Sequence, residues 1–322
     1  MAAPSWTQTI DTLYTSTWEY RKKEAIEQAY LKTPFIFWLR QKGHVENISG
    51  YKRIEVPVEY GSNETVRWIT KGQTVPIQDS ELITMAYEDW KYVAVSIVRW
   101  FEDEQKNRGK AQMINMVERN VNAAERTLWE EMERVMFADG SGLNEPNGLQ
   151  NIISATPTLG TLHGLSRVTY DWWRNQQKTS TGAAAVYLVS DMRTVLNNII
   201  KYSRAELADI VLVTTQTVFE LYEDVCLEMK ILQNTMMADA GFDSIVFKGK
   251  TMLWCPSAPS GNMYFINPKY VKLITDESFF MEMTDWKQIP DQPFDKVAQI
   301  ICTMNMINQR PIANSVLTGI AA

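Results

Sequence analysis

The chain has 322 residues, of which 45% are hydrophobic and 22% charged, a composition that buries a core and excludes disorder of the whole chain. Its net charge of −6 and pI near 5.2 exclude a nucleic-acid binder built on a basic stripe.

Residues 1–50 read as an arm. Trp6 and Trp18 come early, a helix-prone run follows from Glu19 to Gln28, and Pro34 blocks a continuous helix through the apolar run Thr33 to Leu39. That apolar surface needs either a partner subunit or the main body of the same chain. Residues 51–70 alternate, with Ile54, Val56, Val58 and Tyr60 on one face and Arg53, Glu55 and Glu59 on the other. Gly61 to Glu64 supplies a turn, and Thr65 to Thr70 resumes in strand-forming residues, which predicts a hairpin. Pro57 assigns the first strand to an edge, and the turn-rich run Lys71 to Pro76 continues a hairpin that projects.

Residues 84–101 read as one long strand. Trp90, Tyr92, Ala94, Ser96, Val98 and Trp100 face one way and Val93, Val95 and Ile97 the other, so both faces are expected to be covered. Then comes the clearest periodicity in the chain. Ile114, Val117, Val121, Ala124, Leu128, Met132 and Val135 step by three or four residues, while Glu118, Arg119, Asn122, Glu125, Arg126, Glu130 and Glu133 take the rest of the surface. From Glu104 to Phe137, with Gly140 as its stop, this predicts a rod of roughly 50 Å.

A Gly/Pro/Asn-rich loop spans Phe137 to Leu149, and a helix is expected near Tyr170–Gln177, carrying Trp172 and Trp173. Strands at Ala185–Val189 and Asp209–Val213 alternate with helices at Met192–Tyr202 and Gln216–Met229, with Asp191 and Thr215 as caps, and mark a separate α/β lobe. Residues 245–275 are mostly strand, and 279–309 supply two more strands that return to the first lobe.

The chemistry-bearing motifs are missing. No dinucleotide-binding glycine fingerprint, phosphate-binding loop, nucleophile elbow or zinc-protease motif is present. His44 and His163 lie far apart without cysteines at ligand spacing, and Cys226, Cys255 and Cys302 form neither a disulfide framework nor a zinc set. The carboxylate pairs Asp103/Glu104 and Glu130/Glu131 read as solvated helix surface, and Met113, Met116, Met132 and Met136 as core fillers. No catalytic, cofactor-binding or metal residue is assigned, and the chain reads as a non-enzyme. The N-terminus lacks the order of a signal peptide, and no stretch approaches the roughly 18 apolar residues of a membrane span. A soluble protein made in the cytoplasm is expected, with no membrane partner.

The order of these elements resembles the HK97-fold major capsid proteins of tailed bacteriophages: apolar arm, projecting hairpin, long strand, long helix, then a Gly-rich loop with Pro146-Asn147-Gly148-Leu149. Met263 to Asn267, Phe280 to Trp286, Gln292 to Phe294, Ala298 to Met306, Arg310 to Ile312 and Val316 to Ile320 are similar to the closing strands of that family. The resemblance implies an α+β fold with an N-terminal arm at 1–50 and an extended hairpin, the E-loop, at 51–83. It implies a P-domain at 84–182 and 276–322, with a spine helix about 104–138, and an α/β A-domain at 183–275. It implies a virion subunit that self-assembles as hexamers and pentamers into an icosahedral head around double-stranded DNA, which it touches only weakly and non-specifically. Further partners would be a portal and separate scaffolding or decoration proteins. Trp6, Trp18, Val56, Val58, Trp68 and Ile69 are the expected contacts between subunits. Some family members crosslink a hairpin lysine to an asparagine of a neighbour; Lys71 stands in a suitable loop, with Asn305, Asn308 and Asn314 late in the chain. The rival readings are an encapsulin-type bacterial nanocompartment shell, another virion component, and a soluble carbohydrate-binding module using Trp172 and Trp173.

Overall fold

The computed structural model describes residues 34–41, 43–50, 52–61, 65–74, 82–102, 110–203, 210–227 and 245–321. Helix α1 (Pro34–Gln41) opens on proline, whose missing amide hydrogen costs nothing in a first turn. Phe35, Ile36, Trp38 and Leu39 are all buried, and Phe35 meets Phe137 with ring centroids 5.4 Å apart. This part of the arm therefore packs on its own chain. Trp6 and Trp18 lie outside the described residues.

Two sheets organise the rest. In the first, β1 (Val45–Ile48) runs parallel to β12 (Val271–Met283), which pairs antiparallel with β14 (Gln292–Asn308). Strand β13 (Lys287–Ile289) continues along β14, and β4 (Lys91–Arg99) takes its other edge. Helix α2 (Lys110–Met136) packs against this sheet and, at 27 residues, is roughly 40 Å long. Its Val121, Ala124, Leu128, Met132 and Val135 are buried, as the periodicity predicts. Glu125, expected on the polar face, is buried as well, because Trp129 one turn on widens the apolar stripe. The expected start at Glu104 lies outside the described residues.

The second sheet has six strands in the order β7 (Gln176–Thr179), β15 (Ser315–Thr318), β11 (Met263–Ile266), β8 (Val211–Thr214), β10 (Lys250–Trp254), β9 (Ile245–Phe247). Alternate residues enter two different cores. Val211, Val213, Leu253, Tyr264, Ile266 and Val316 join the core that includes α1 and α2. Leu212, Met252, Met263, Phe265 and Leu317 instead pack under α4 (Ala184–Ser203) and α5 (Gln216–Leu227). A sheet covered on both faces needs continuous apolar strands, which explains why Val211–Thr214 and Met263–Ile266 are buried throughout.

Four expectations are corrected here. The hairpin partner of β2 (Ile54–Glu59) is β3 (Ile83–Glu88), not residues 65–70. The run 84–101 is two strands in different sheets, broken at Asp89 and Trp90; the Asp89 carbonyl accepts a hydrogen bond from Asn305 at 2.8 Å and its carboxylate meets Arg53 at 2.8 Å. Residues 185–189 are not a strand but part of α4, whose buried Ala184, Leu188, Met192, Val195 and Ile199 keep helical spacing throughout. The tryptophan pair sits in a single 3-10 turn, Asp171–Trp173, and the chain then enters β7. In addition, β4 is open on one face, where Tyr92, Ala94 and Ser96 are exposed. Residues 315–318 join the six-stranded sheet. The short helix α3 (Leu149–Ile152), through Leu149 and Ile152, and the small hairpin of β5 (Thr161–Leu162) and β6 (Leu165–Ser166), through Leu162 and Leu165, pack into the core that includes α1 and α2.

Candidate assembly interface

Strands β2 and β3 form a ribbon separate from both sheets, with Ile54 opposite Glu88 and Glu59 opposite Ile83. Alternation gives the ribbon two faces. The inner face carries Ile54, Val58 and Ala86, which are buried, and Val56, which packs with Ile54, Ile274 and Ile307. Tyr60 stacks on Trp172 at 4.9 Å with 12° between the rings, so the ribbon is laid along its own body. Val58, only 7% exposed, is a core residue of this chain, and Val56 is partly covered by it. The outer face is different. Ile83, Met85 and Tyr87 lie on it in alternate positions, all exposed, beside Glu55, Pro57 and Glu59.

Beyond the ribbon, the described tip holds Val66, Trp68 and Ile69 in solvent, and Trp68 is wholly exposed at 102%. Gly72, at φ +90°, closes a turn in which the Gln73 amide donates to the Thr70 carbonyl at 3.1 Å. Lys71 stands exposed in that turn.

The root of the ribbon is clamped. His163, buried and at φ +50°, receives the Asn308 backbone N–H on Nε2 at 2.9 Å, so its proton sits on Nδ1, 2.9 Å from Glu88 Oε1. Its carbonyl accepts the Tyr87 N–H at 3.1 Å. Burial alone would raise the Glu88 carboxyl. The hydrogen bonds of His163 and Asn147 and the charge of Lys91 outweigh it and hold the group below its ordinary value.

The late asparagines do a structural job. Asn305 donates to the Asp89 carbonyl and accepts the Asn147 and Met306 N–H groups at 3.0 and 2.8 Å. Asn314 accepts the Asn267 N–H at 2.7 Å and donates to Asn308 at 3.2 Å. All three are buried within their own chain, so none is presented to Lys71 of a neighbour. Among the described residues no group of three or more His, Cys, Asp or Glu is placed to hold a metal ion, and no helix is long and apolar enough to cross a membrane.

Several assembled shells share this architecture. A chain of the cyanophage A-1(L) capsid aligns with a TM-score of 0.66 at 15% identity, covering 91% of this chain and 94% of that one. The fold is that of a capsid shell protein. The capsid of a native GTA particle aligns at 0.58 and 12% identity over 88% of this chain and 90% of that one. An encapsulin complex from Synechococcus elongatus PCC 7942 aligns at 0.54 and 11% identity over 88% and 87%. No protein-family model and no curated protein matches the sequence. The capsid-shell fold is thus carried by a sequence far from these structures, and the order of elements persists where identity does not.

Of the residues singled out in the sequence, the structure brings Trp68 and Ile69 together at the exposed tip and turns Val56 and Val58 inward. Sequence reasoning missed Ile83, Met85 and Tyr87. Met85 and Tyr87 fall in the expected strand 84–101, and Ile83 at the end of the expected hairpin 51–83, so their shared face emerges only with the β2–β3 pairing.

Proposed function

We propose that this chain is the major capsid protein of a tailed bacteriophage, building an icosahedral head around double-stranded DNA from hexamers and pentamers of itself. The observation that carries this is the capsid-shell fold over about nine-tenths of the chain, with a TM-score of 0.66 against a phage capsid. Exposed apolar surface on the ribbon and its tip supports it, since such surface is buried when copies associate. On this reading the ribbon of β2 and β3 with its tip is the E-loop, reaching past the expected 51–83 to Glu88, α2 is the spine, and the sheet of β1, β4, β12, β13 and β14 belongs to the P-domain. The six-stranded sheet with α4 and α5 is the A-domain, extended by β7 and β15 beyond 183–275. Residues 1–50 are the N-arm, and a portal and separate scaffolding or decoration proteins complete the head. The chain acts by geometry and carries no chemistry of its own.

An encapsulin-type compartment is the second reading, favoured by the alignment to the encapsulin complex. Expression of the full chain, followed by size exclusion and nuclease treatment of the particles, separates the two. Phage-infected cells should yield shells holding nuclease-protected double-stranded DNA. Shells holding a protein cargo and no DNA would assign the chain to the compartment class, and a monomer under every condition would remove both.

A further inference from the structure

The ribbon of β2 and β3 shares no strand with the six-stranded sheet, yet one run of hydrogen bonds joins them. It starts on Glu88, the last residue of β3, whose Oε1 lies 2.9 Å from His163 Nδ1. His163 and Gly164 form the two-residue turn between β5 and β6, with φ of +50° and +77°. That turn is pressed on the ribbon, for a Cβ on Gly164 would come within 2.5 Å of the Tyr87 ring. On its other side His163 Nε2 accepts the N–H of Asn308, the last residue of β14, at 2.9 Å.

Asn308 passes the contact on. Its Oδ1 accepts the Arg310 N–H at 3.1 Å and Asn314 Nδ2 at 3.2 Å. Asn314 Oδ1 in turn accepts the N–H of Asn267, directly after β11, at 2.7 Å. The Asn314 carbonyl accepts the Gln176 N–H that opens β7 at 2.9 Å. Arg310 adds a branch, donating from Nη2 to the carbonyl of Ser203, the last residue of α4, at 2.6 Å. None of His163, Asn308, Asn314 and Asn267 is more than 3% exposed, so water competes poorly for these bonds.

The middle of this relay is under-satisfied. Asn308 Nδ2 is buried without a hydrogen-bond partner among the described residues. Exchanging its oxygen and nitrogen would not help, because Nδ2 would then meet two donors, the Arg310 N–H and Asn314 Nδ2. A buried donor left unpaired is costly, and His163 holds a side chain at a φ that favours glycine and asparagine. Both costs fall on the residues that share the His163–Asn308 bond. A join that carries such costs when closed lies nearer in free energy to its open form than the saturated cores on either side of it.

We propose that the His163–Asn308 hydrogen bond is a two-state latch through which the ribbon and the six-stranded sheet set each other's position. Closed, it locks the ribbon root to the ends of β11 and β14 and to the start of β15. Open, it frees the root and those strand ends together, so whatever displaces one region shifts the equilibrium of the other. The latch goes beyond the shell reading, belongs to a single copy, and is tested on the unassembled chain, where its failure leaves that reading untouched.

The test is hydrogen exchange, read by mass spectrometry on the unassembled full chain at neutral pH. Asn314→Ala cuts the relay on the sheet side and should speed exchange in the ribbon, residues 54–59 and 83–88, at least about fivefold. Met252→Ala is the control. It opens a cavity in the same sheet, two strands away from β11, and should loosen the sheet while the ribbon exchanges as in the native chain. Coupling is reciprocal, so Glu88→Ala should speed exchange at residues 263–267 and 315–318 by a similar factor. Glu88→Gln keeps an acceptor for His163 Nδ1 and should hold those residues close to native exchange. A ribbon at native exchange in Asn314→Ala, or one loosened equally by Met252→Ala, would overturn the latch. Should Asn314→Ala fail to fold, the Glu88 pair decides alone, since that side chain is 20% exposed at the ribbon root. Native exchange at 263–267 and 315–318 in Glu88→Ala would then overturn the proposal.

Discussion

The six-stranded sheet and the β2–β3 ribbon are built from similar residues and put to opposite use. In the sheet, Val213 and Tyr264 on one face and Leu212 and Phe265 on the other are covered by the same chain. In the ribbon only the inner face is covered, and the outer face leaves Ile83, Met85 and Tyr87 in water, followed by a tip with Val66, Trp68 and Ile69. The sheet is complete in one copy. The ribbon and tip bring apolar surface that a single copy does not use, and in a shell subunit that surplus is the means of association.

Substitutions should separate the two regions by what they change. Phe265→Ala, within the double-covered sheet, should cost about 3–5 kcal/mol in urea unfolding of the unassembled chain; a loss under about 1 kcal/mol would show the sheet to be far less saturated than its burial indicates. Asn305→Ala orphans two amide donors and a carbonyl at the ribbon root, and should cost about 2 kcal/mol or more. If the cost appears only in assembled particles, the asparagine is an interface residue and the comparison is misdrawn.

The root should also respond to pH. The Glu88 carboxyl is held below its unfolded value, so its contribution to stability is present above that value and is lost as pH falls through the folded one. Stability against pH should therefore fall more steeply on the acid side in the native chain than in Glu88→Gln, read by thermal melting across a pH series. Glu133 on α2 has the opposite sign: burial, then repulsion from Glu130, raises its carboxyl. The penalty exists above the unfolded value and disappears in acid, so Glu133→Gln should stabilise by up to about 1 kcal/mol at neutral pH and by nothing at low pH. Smallest of all, Met85→Ser on the outer face should leave the unfolding free energy of the unassembled chain within about 0.5 kcal/mol of native while reducing assembly.

Much of the fold was legible because it is written in local periodicity. The alternation of Ile54, Val56 and Val58 named the inner face of the ribbon, and the three-and-four steps from Val121 to Val135 named the buried face of α2. The failures have two causes, a conflict between local period and local propensity, and partners distant in sequence. Residues 185–189 have strand-forming composition, yet Ala184 and Leu188 continue the helical spacing of Met192 and Val195, and period outweighs propensity. The break at Asp89 is made by Asn305, far along the chain, and nothing near Asp89 announces it. The candidate interface divided the same way. Trp68 and Ile69 are named through the family resemblance, whereas Ile83, Met85 and Tyr87 required knowing which strand β2 pairs with. Asn305, Asn308 and Asn314 looked available for a crosslink because burial of a polar side chain leaves no mark in the sequence.

The central claim is that the surface this chain leaves uncovered is buried between its copies. A cryo-electron microscopy reconstruction of particles assembled from the full chain tests it most directly. The account predicts a closed shell in which Trp68, Ile83 and Met85 of each copy lie against a neighbour. A shell in which those side chains remain in solvent would contradict it.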